Sequence, residues 1–238
     1  MIEFGTKSGK RRERVYDALQ RRELTESEWS KLIKQAKRNK ILFITAPYFP
    51  ETVDFLVDQE VDAIKVSKGD INNVLLVEKI AKTKLPVILD AREKISDVKI
   101  DVKICQKNHN KNIIIMHCPS GYPANSSGIH LNALKRIRQE FDYPIGFSDH
   151  SVGEKMNYAA LALGCNILEK TITTNININK VEHYMSLEVR KIKDFISNIR
   201  TIESAMGNSN ILNKSRVEQN ARRSFTAKKQ LYKGDIIT

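Results

Sequence analysis

The chain has 238 residues, of which 41% are hydrophobic and 29% charged, a balance typical of a globular protein with one large core. Forty Lys and Arg residues against 28 Asp and Glu residues give a formal net charge of +12. The basic residues are spread along the chain and aromatic residues make up only 7%, so we expect no dedicated nucleic-acid interface. A basic surface equally attracts anionic small molecules.

The sequence also argues against a membrane-spanning protein and against a protein stabilised by disulfide bonds. No apolar run approaches the roughly 18 residues of a membrane-spanning helix, and the polar N-terminus lacks the apolar core of a signal peptide. We therefore expect a cytoplasmic protein with no membrane partner. The cysteines lack CxxC spacing, which predicts buried, reduced thiols rather than a zinc site; they are Cys105, Cys118 and Cys165.

Short apolar runs recur along the chain and predict a parallel α/β fold. Residues 1–24 are basic and weakly patterned, and the spacing of Thr25 and Glu28 is that of a capping box, which predicts a helix start just before Trp29. Six apolar runs follow: Ile41–Ile44, Ala63–Val66, Val87–Leu89, Ile113–Met116, Pro144–Phe147 and Ile167–Leu168. Helical patterns are predicted at 53–57, 74–81, 131–141, 156–163 and 187–206. Strands that alternate with helices predict a TIM-type (β/α)8 barrel with six strands visible, two short of eight.

Polar residues end these runs, where parallel folds build active sites. The clearest case is Ser148-Asp149-His150, which follows an apolar strand directly and precedes a helical pattern. His150 is either a core histidine or a site residue, and we favour the site. His117 is expected to pack or to orient a neighbour. Lys65 is either a member of a buried ion pair or an anion ligand, and we favour the anion ligand.

The apolar pattern stops after Gly207. Residues 208–220 are polar and turn-like, which predicts a linker between a barrel at 1–207 and a second module at 221–238. The strand-like run at 221–227 and the residues that follow it up to Thr238 are too few to form a domain alone. The chain is expected to break off inside this second module.

Several stretches, in this order, resemble the sialic acid synthase family, the N-acetylneuraminate synthases and their relatives. The resemblance covers about Arg21 to the end of the chain, and its last part is similar to the opening of the SAF (antifreeze-like) domain of these enzymes. The stretches are Lys65–Asn73, His117–Pro123, Gly146–His150, Leu168–Lys170, Glu182–Glu188, Ala221–Ser224 and Lys233–Thr238.

The resemblance implies a carbon–carbon bond-forming transferase of nonulosonic acid biosynthesis. The implied substrates are phosphoenolpyruvate and an N-acetylated hexose such as N-acetylmannosamine, and the implied cofactor is a divalent metal, manganese or magnesium, that polarises the sugar aldehyde. The implied active form is a homodimer in which the SAF domain of one subunit caps the barrel of the other.

The resemblance also implies site residues at matching positions. Catalytic roles fall on Glu169, Ser148 and Asp149, and His150 occupies the first metal-ligand position. The second metal-ligand position holds Thr171, a poor substitute for imidazole, so His183 is expected as a reserve ligand. Glu169 and Glu182 are each either a carboxylate of the metal site or a solvated charge. Substrate-binding roles fall on Lys65, Asp70, Tyr122, Glu182 and Ser120.

The sequence departs from the family pattern at other strand ends. The family's Ser-Thr-Pro is Thr45-Ala46-Pro47 here, its Ala-Ser-Gly is Ser67-Lys68-Gly69, and its Leu-Ser-Thr-Gly is 89–92 with Asp90 in the second place. Lys68 either contributes a positive charge or obstructs the donor phosphate. Two hypotheses follow: an active synthase-like enzyme, or a truncated or degenerate relative that binds a sugar or a protein without catalysis.

Overall fold

Six parallel strands form the central sheet of the first of two units in the chain, Met1–Ala205 and Met206–Thr238. The structure is a computed structural model that describes residues 1–91, 94–208, 221 and 223–236. No helix among these residues is long and apolar enough to cross a membrane.

The N-terminal segment, which showed little pattern in the sequence, folds into a hairpin and two helices. Strands β1 (Ile2–Thr6) and β2 (Gly9–Glu13) pair antiparallel, and α1 (Val15–Gln20) and α2 (Glu26–Arg38) follow. The predicted capping box at the start of α2 is confirmed, since the Thr25 hydroxyl accepts from the Glu28 amide and the Glu28 carboxylate accepts from the Thr25 amide. These two bonds satisfy backbone donors that have no partner within the helix.

The central sheet confirms the predicted parallel order, because its strands are neighbours in the order in which they occur along the chain. Its strands are β3 (Ile44–Thr45), β4 (Ala63–Val66), β5 (Val87–Ala91), β6 (Ile113–His117), β7 (Ile145–Asp149) and β8 (Ile167–Lys170). The helices between them are α3 (Pro50–Asp58), α4 (Val74–Lys82), α5 (Ile95–Lys107), α6 (Ala133–Glu140) and α7 (Lys155–Ala162). Singly wound βα units of this kind are the building units of a TIM-type barrel.

The sheet curls strongly rather than lying flat. Lys65 on β4 and Glu169 on β8 are four strands apart, which in a flat sheet is about 19 Å at about 4.8 Å per strand. Their side chains nevertheless meet at 2.8 Å. The sheet therefore wraps around an interior, as six strands of a (β/α)8-type barrel do.

Three elements differ from the sequence prediction. The first strand of the central sheet, β3, begins at Ile44 rather than Ile41, and Ile41 is exposed. Helix α5 was not predicted. The final helical pattern, expected from residue 187, becomes a short strand β10 (Leu187–Glu188) paired with β9 (Ile172–Thr173), a 3-10 turn, and α8 (Ile192–Met206).

Most of the predictions for the C-terminal unit are not tested, because many of its residues lie outside the described part of the chain. The linker expected at 208–220 lies outside the described residues except for Asn208. Residues 223–227, expected to be strand-like, form no strand, so that expectation is wrong for them. Between 228 and 236 the chain makes turns, and in the second of these the Asp235 carboxylate accepts from the Tyr232 amide at 2.8 Å.

Candidate active site

Strand register sorts the predicted residues onto two faces of the sheet. Lys65 pairs with Ile88, two residues before Asp90, and Ser148 pairs with Glu169. Because successive side chains of a strand alternate between faces, the inner face receives Lys65, Asp90, Ser148 and Glu169. These four side chains come from four different strands and form the inner cluster.

Lys65 lies at the centre of the inner cluster. Its ammonium donates to both carboxylate oxygens of Glu169 at 2.8 Å and lies 3.3 Å from Oδ1 of Asp90. The Ser148 hydroxyl donates to Oε1 of Glu169 at 2.5 Å. One cation therefore holds two carboxylates together at the carboxyl ends of the strands.

Burial and charge shift the pKa values in this cluster in opposite directions. Burial raises the pKa of Asp90 to about 6, although the nearby Lys65 ammonium opposes the shift. The pKa of Glu169 is lowered, because the charge and hydrogen bonds of Lys65 outweigh the effect of burial. For Lys65 itself, burial lowers the pKa, but the two carboxylates outweigh burial and leave it raised. Glu169 is therefore held ionised, whereas Asp90 titrates near pH 6.

A second group, defined here as the mouth group, consists of Lys68, Tyr122 and His150. The Lys68 ammonium donates to the Tyr122 hydroxyl at 3.1 Å and lies 4.9 Å from the centre of the Tyr122 ring. The rings of Tyr122 and His150 are 5.1 Å apart. Burial lowers the pKa of His150, and its Nδ1 is buried with no hydrogen-bond partner among the described residues. Burial therefore favours the neutral form of the His150 imidazole.

The structure places Asp149 apart from the inner cluster, although the sequence assigned it a catalytic role beside Ser148. Asp149 pairs in register with Lys170 on the opposite face of the sheet. Lys170 donates to the Asp149 carboxylate at 2.8 Å and to the Ser151 carbonyl at 2.5 Å, and both charged side chains are almost completely buried. These contacts are those of a structural ion pair that fixes the loop after β7. His117, expected to pack or to orient a neighbour, also faces outward, where its Nε2 lies 2.6 Å from the Ile129 carbonyl oxygen.

The remaining predicted substrate residues occupy separate positions. Asp70 lies half-buried in the turn after β4, and Ser120 is exposed in the loop after β6. The Glu182 carboxylate lies 3.1 Å from the Arg22 guanidinium. The structure therefore brings Lys65, Ser148 and Glu169 together, and none of the contacts between described residues joins Asp70 or Glu182 to that cluster.

The predicted metal-ligand set is not assembled. Among the described residues, no group of three or more His, Cys, Asp or Glu side chains could hold a metal ion. His183, the expected reserve ligand beside His150, is engaged at Nδ1 by the Thr173 hydroxyl at 2.8 Å. The Thr171 hydroxyl is buried and has no hydrogen-bond partner in the part of the chain that the structure describes. The described residues therefore do not gather three such ligands around His150 and His183.

The sequence interpretation missed the contribution of the N-terminal segment to the site. The Gly5 amide of β1 donates to the Tyr122 carbonyl at 2.7 Å, and Arg22 after α1 contacts both Glu182 and the Val181 carbonyl. The hairpin and α1 therefore pack against the loops that carry Tyr122 and Glu182. No local pattern signals this, because the contacts join residues more than 100 positions apart.

Comparisons with known proteins agree with this geometry. The profile of the NeuB family matches residues 2–211. The N,N'-diacetyllegionaminic acid synthase of Campylobacter jejuni is 33% identical over 227 residues, which cover 92% of this chain and 68% of that protein. The human N-acetylneuraminate-9-phosphate synthase is 30% identical over 78% of this chain, and the match spans about half (52%) of its own length. The crystal structure of the N-acetylneuraminic acid synthetase of Leptospira borgpetersenii, in complex with citrate, superposes with a TM-score of 0.79 at 26% identity, and covers 86% of this chain and 72% of that one.

Proposed function

Because the chain belongs to the NeuB family, we propose that it contributes the barrel of a nonulosonic acid synthase. The proposed reaction condenses phosphoenolpyruvate with an N-acetylated hexose such as N-acetylmannosamine. The methylene carbon of phosphoenolpyruvate bonds to the sugar aldehyde carbon, water adds at the carbon that bears the phosphate ester, and inorganic phosphate leaves. The names of the relatives support this class of reaction, since they are synthases of sialic and legionaminic acids.

The observation that carries this proposal is the inner cluster at the carboxyl ends of the strands. Glu169 is held ionised beside the Ser148 hydroxyl, and Lys65 fixes both of its oxygens. An ionised, fixed carboxylate next to a hydroxyl is suited to accept a proton from the attacking water or to orient a substrate hydroxyl. We assign these tasks to Glu169 and Ser148, and we assign to Lys65 the positioning of Glu169.

A specific observation supports a second candidate function. The described residues contain no group of three or more His, Cys, Asp or Glu side chains that could hold a metal ion, and the ammonium of Lys65 is already engaged by protein carboxylates. A barrel with these features is compatible with a relative that binds an N-acetylated sugar without turnover. This second candidate predicts sugar binding in the absence of phosphate release.

One experiment separates the two candidates. The chain is incubated with phosphoenolpyruvate and a panel of N-acetylated hexoses, with and without manganese, and phosphate release is followed together with the product mass. The proposed synthase predicts phosphate release only when both substrates are present, and a product whose mass is the sum of both substrates plus water less phosphoric acid. Absence of phosphate release under all conditions, with sugar binding by calorimetry, overturns it in favour of the second candidate.

A further inference from the structure

Asp101 is a buried carboxylate that belongs neither to the inner cluster nor to the mouth group. It lies on α5 among the buried residues Val98, Val102 and Cys105, and it is 0% exposed. Among the described residues, no Lys, Arg or His nitrogen lies within 4.0 Å of its carboxylate. Burial raises the pKa of Asp101 to about 6, and the charge of Asp97, one helical turn earlier, also raises it. A buried carboxylate without a cationic partner lowers stability at neutral pH, so a functional contact explains this residue better than core packing does.

The Asp101 carboxylate accepts from the backbone amide of Asn72. The amide nitrogen lies 3.1 Å from Oδ2 and 3.3 Å from Oδ1 of the carboxylate. Asn72 belongs to the turn after β4 and has a φ of 72°, in the left-handed region that residues other than glycine adopt infrequently. Asn72 is also exposed, which leaves water as an alternative acceptor for its amide. The bond therefore adds little to the stability of the fold, but it fixes the position of this turn against α5.

The turn after β4 carries two residues of the candidate site. Lys68 belongs to the mouth group, and Asp70 is predicted to bind substrate. Within the turn, the Asp70 amide donates to the Ser67 carbonyl at 2.8 Å, and the Asn73 amide donates to the Asp70 carbonyl at 3.0 Å. Because these bonds join the two ends of the turn, a displacement of Asn72 also displaces Asp70 and Lys68.

We propose that Asp101 is a positioning residue that acts through the Asn72 amide to hold the turn after β4, and with it Lys68 and Asp70, in place for substrate. This inference rests on the proposed function, because the position of the turn matters when substrates bind at the carboxyl ends of the strands. Asp101 touches no substrate itself, since it lies on the buried face of a helix outside the sheet. A carboxylate suits the task, because an ionised acceptor forms a stronger hydrogen bond than a neutral one.

The first test measures amide hydrogen exchange of residues 68–73 at pH 7.5. Asp101→Leu removes the acceptor and should speed exchange in this turn at least tenfold, and Asp101→Ala, a second variant without the acceptor, should do the same. Asp101→Asn keeps a carbonyl acceptor and should stay within about threefold of the original chain. Asp54→Asn is the matched control, since this exposed carboxylate pairs with Lys79 and should leave the turn unchanged. Equal exchange in the turn by the original chain and by folded Asp101→Leu or Asp101→Ala overturns the proposal.

The second test measures the kinetics of phosphate release and thermal unfolding of the same variants. Asp101→Leu should raise the KM of at least one of the two substrates at least fivefold and keep kcat per folded molecule within about twofold, and Asp101→Asn should restore most of the KM. The Asp101→Leu chain should be at least as stable as the original at pH 7.5, because a buried charge is removed. Unchanged KM for both substrates, or a rise in KM that Asp101→Asn does not reverse, overturns the positioning role. Because hydrogen exchange needs no substrate, faster exchange in a chain whose original form releases no phosphate contradicts the proposed reaction alone.

Discussion

The buried ion pair of Lys170 and Asp149 should contribute to stability far more than to chemistry. The two side chains are 4% and 0% exposed, and their charged atoms are 2.8 Å apart. Lys170→Met removes the cation and leaves the Asp149 carboxylate buried, with the Ser151 amide as its one remaining hydrogen-bond donor among the described residues. Breaking a buried pair in this way costs about 3–5 kcal/mol, because the remaining charge is uncompensated.

The assay is urea denaturation followed by circular dichroism at pH 7, on the original chain and three variants. We expect a loss of about 3–5 kcal/mol for Lys170→Met, and recovery of most of it when Asp149→Leu is added, because both charges are then absent. The matched control is Lys99→Met, which breaks the partly exposed pair of Lys99 and Glu140 and should cost at most about 1 kcal/mol.

Two results would refute this reasoning. A loss below about 1 kcal/mol for Lys170→Met would show that the pair does not stabilise the loop after β7. A double variant no more stable than Lys170→Met would show that the uncompensated carboxylate is not the cause of the loss.

Two further predictions concern other parts of the barrel unit. Burial raises the pKa of Asp101 to about 6, so the folded chain binds this proton more tightly than the unfolded chain does. Protonation of Asp101 therefore stabilises the folded state. This stabilisation is complete below about pH 4 and is lost as the pH rises through about 6. In urea denaturation at pH 4 and pH 7, Asp101→Asn should therefore gain stability relative to the original chain at the higher pH, and a difference independent of pH would contradict this. Gly5→Ala would place a Cβ 2.6 Å from Cδ of the Pro123 ring, which should cost about 1–3 kcal/mol in thermal unfolding. Gly128→Ala, which meets no atom within 4 Å, should be neutral by comparison, and equal melting temperatures for both variants would refute the close contact.

The central sheet could be predicted because each strand carries its own signal. Runs such as Ile113–Met116 are apolar on both faces, as strands covered on both sides must be, and each ends in a polar residue. The capping box at Thr25 is likewise a local feature. The hairpin of β1 and β2 carries no such signal, because its buried apolar residue, Phe4, packs against Ala18 and the distant Val181.

The candidate site was only partly predictable, because a strand has two faces. The sequence interpretation treated Ser148, Asp149 and His150 as one constellation, but consecutive residues of a strand alternate between faces, and this sends Asp149 outward. Asp90 was recognised only as a polar residue at a strand end. Its contact with Lys65 depends on the register of β4 and β5, which composition does not determine.

The most direct test of the account compares turnover by Glu169→Gln and Asp149→Asn under the conditions in which the original chain releases phosphate. A carboxylate on the inner face that takes part in proton transfer contributes about 10²–10⁴-fold to the rate, so Glu169→Gln should lose at least about 100-fold in kcat while remaining folded. Asp149→Asn should be less stable but should keep its kcat per folded molecule, because its carboxylate faces away from the inner cluster. Full activity of Glu169→Gln, or loss of activity by a folded Asp149→Asn, would contradict the assignment of the chemistry to the inner face of the barrel.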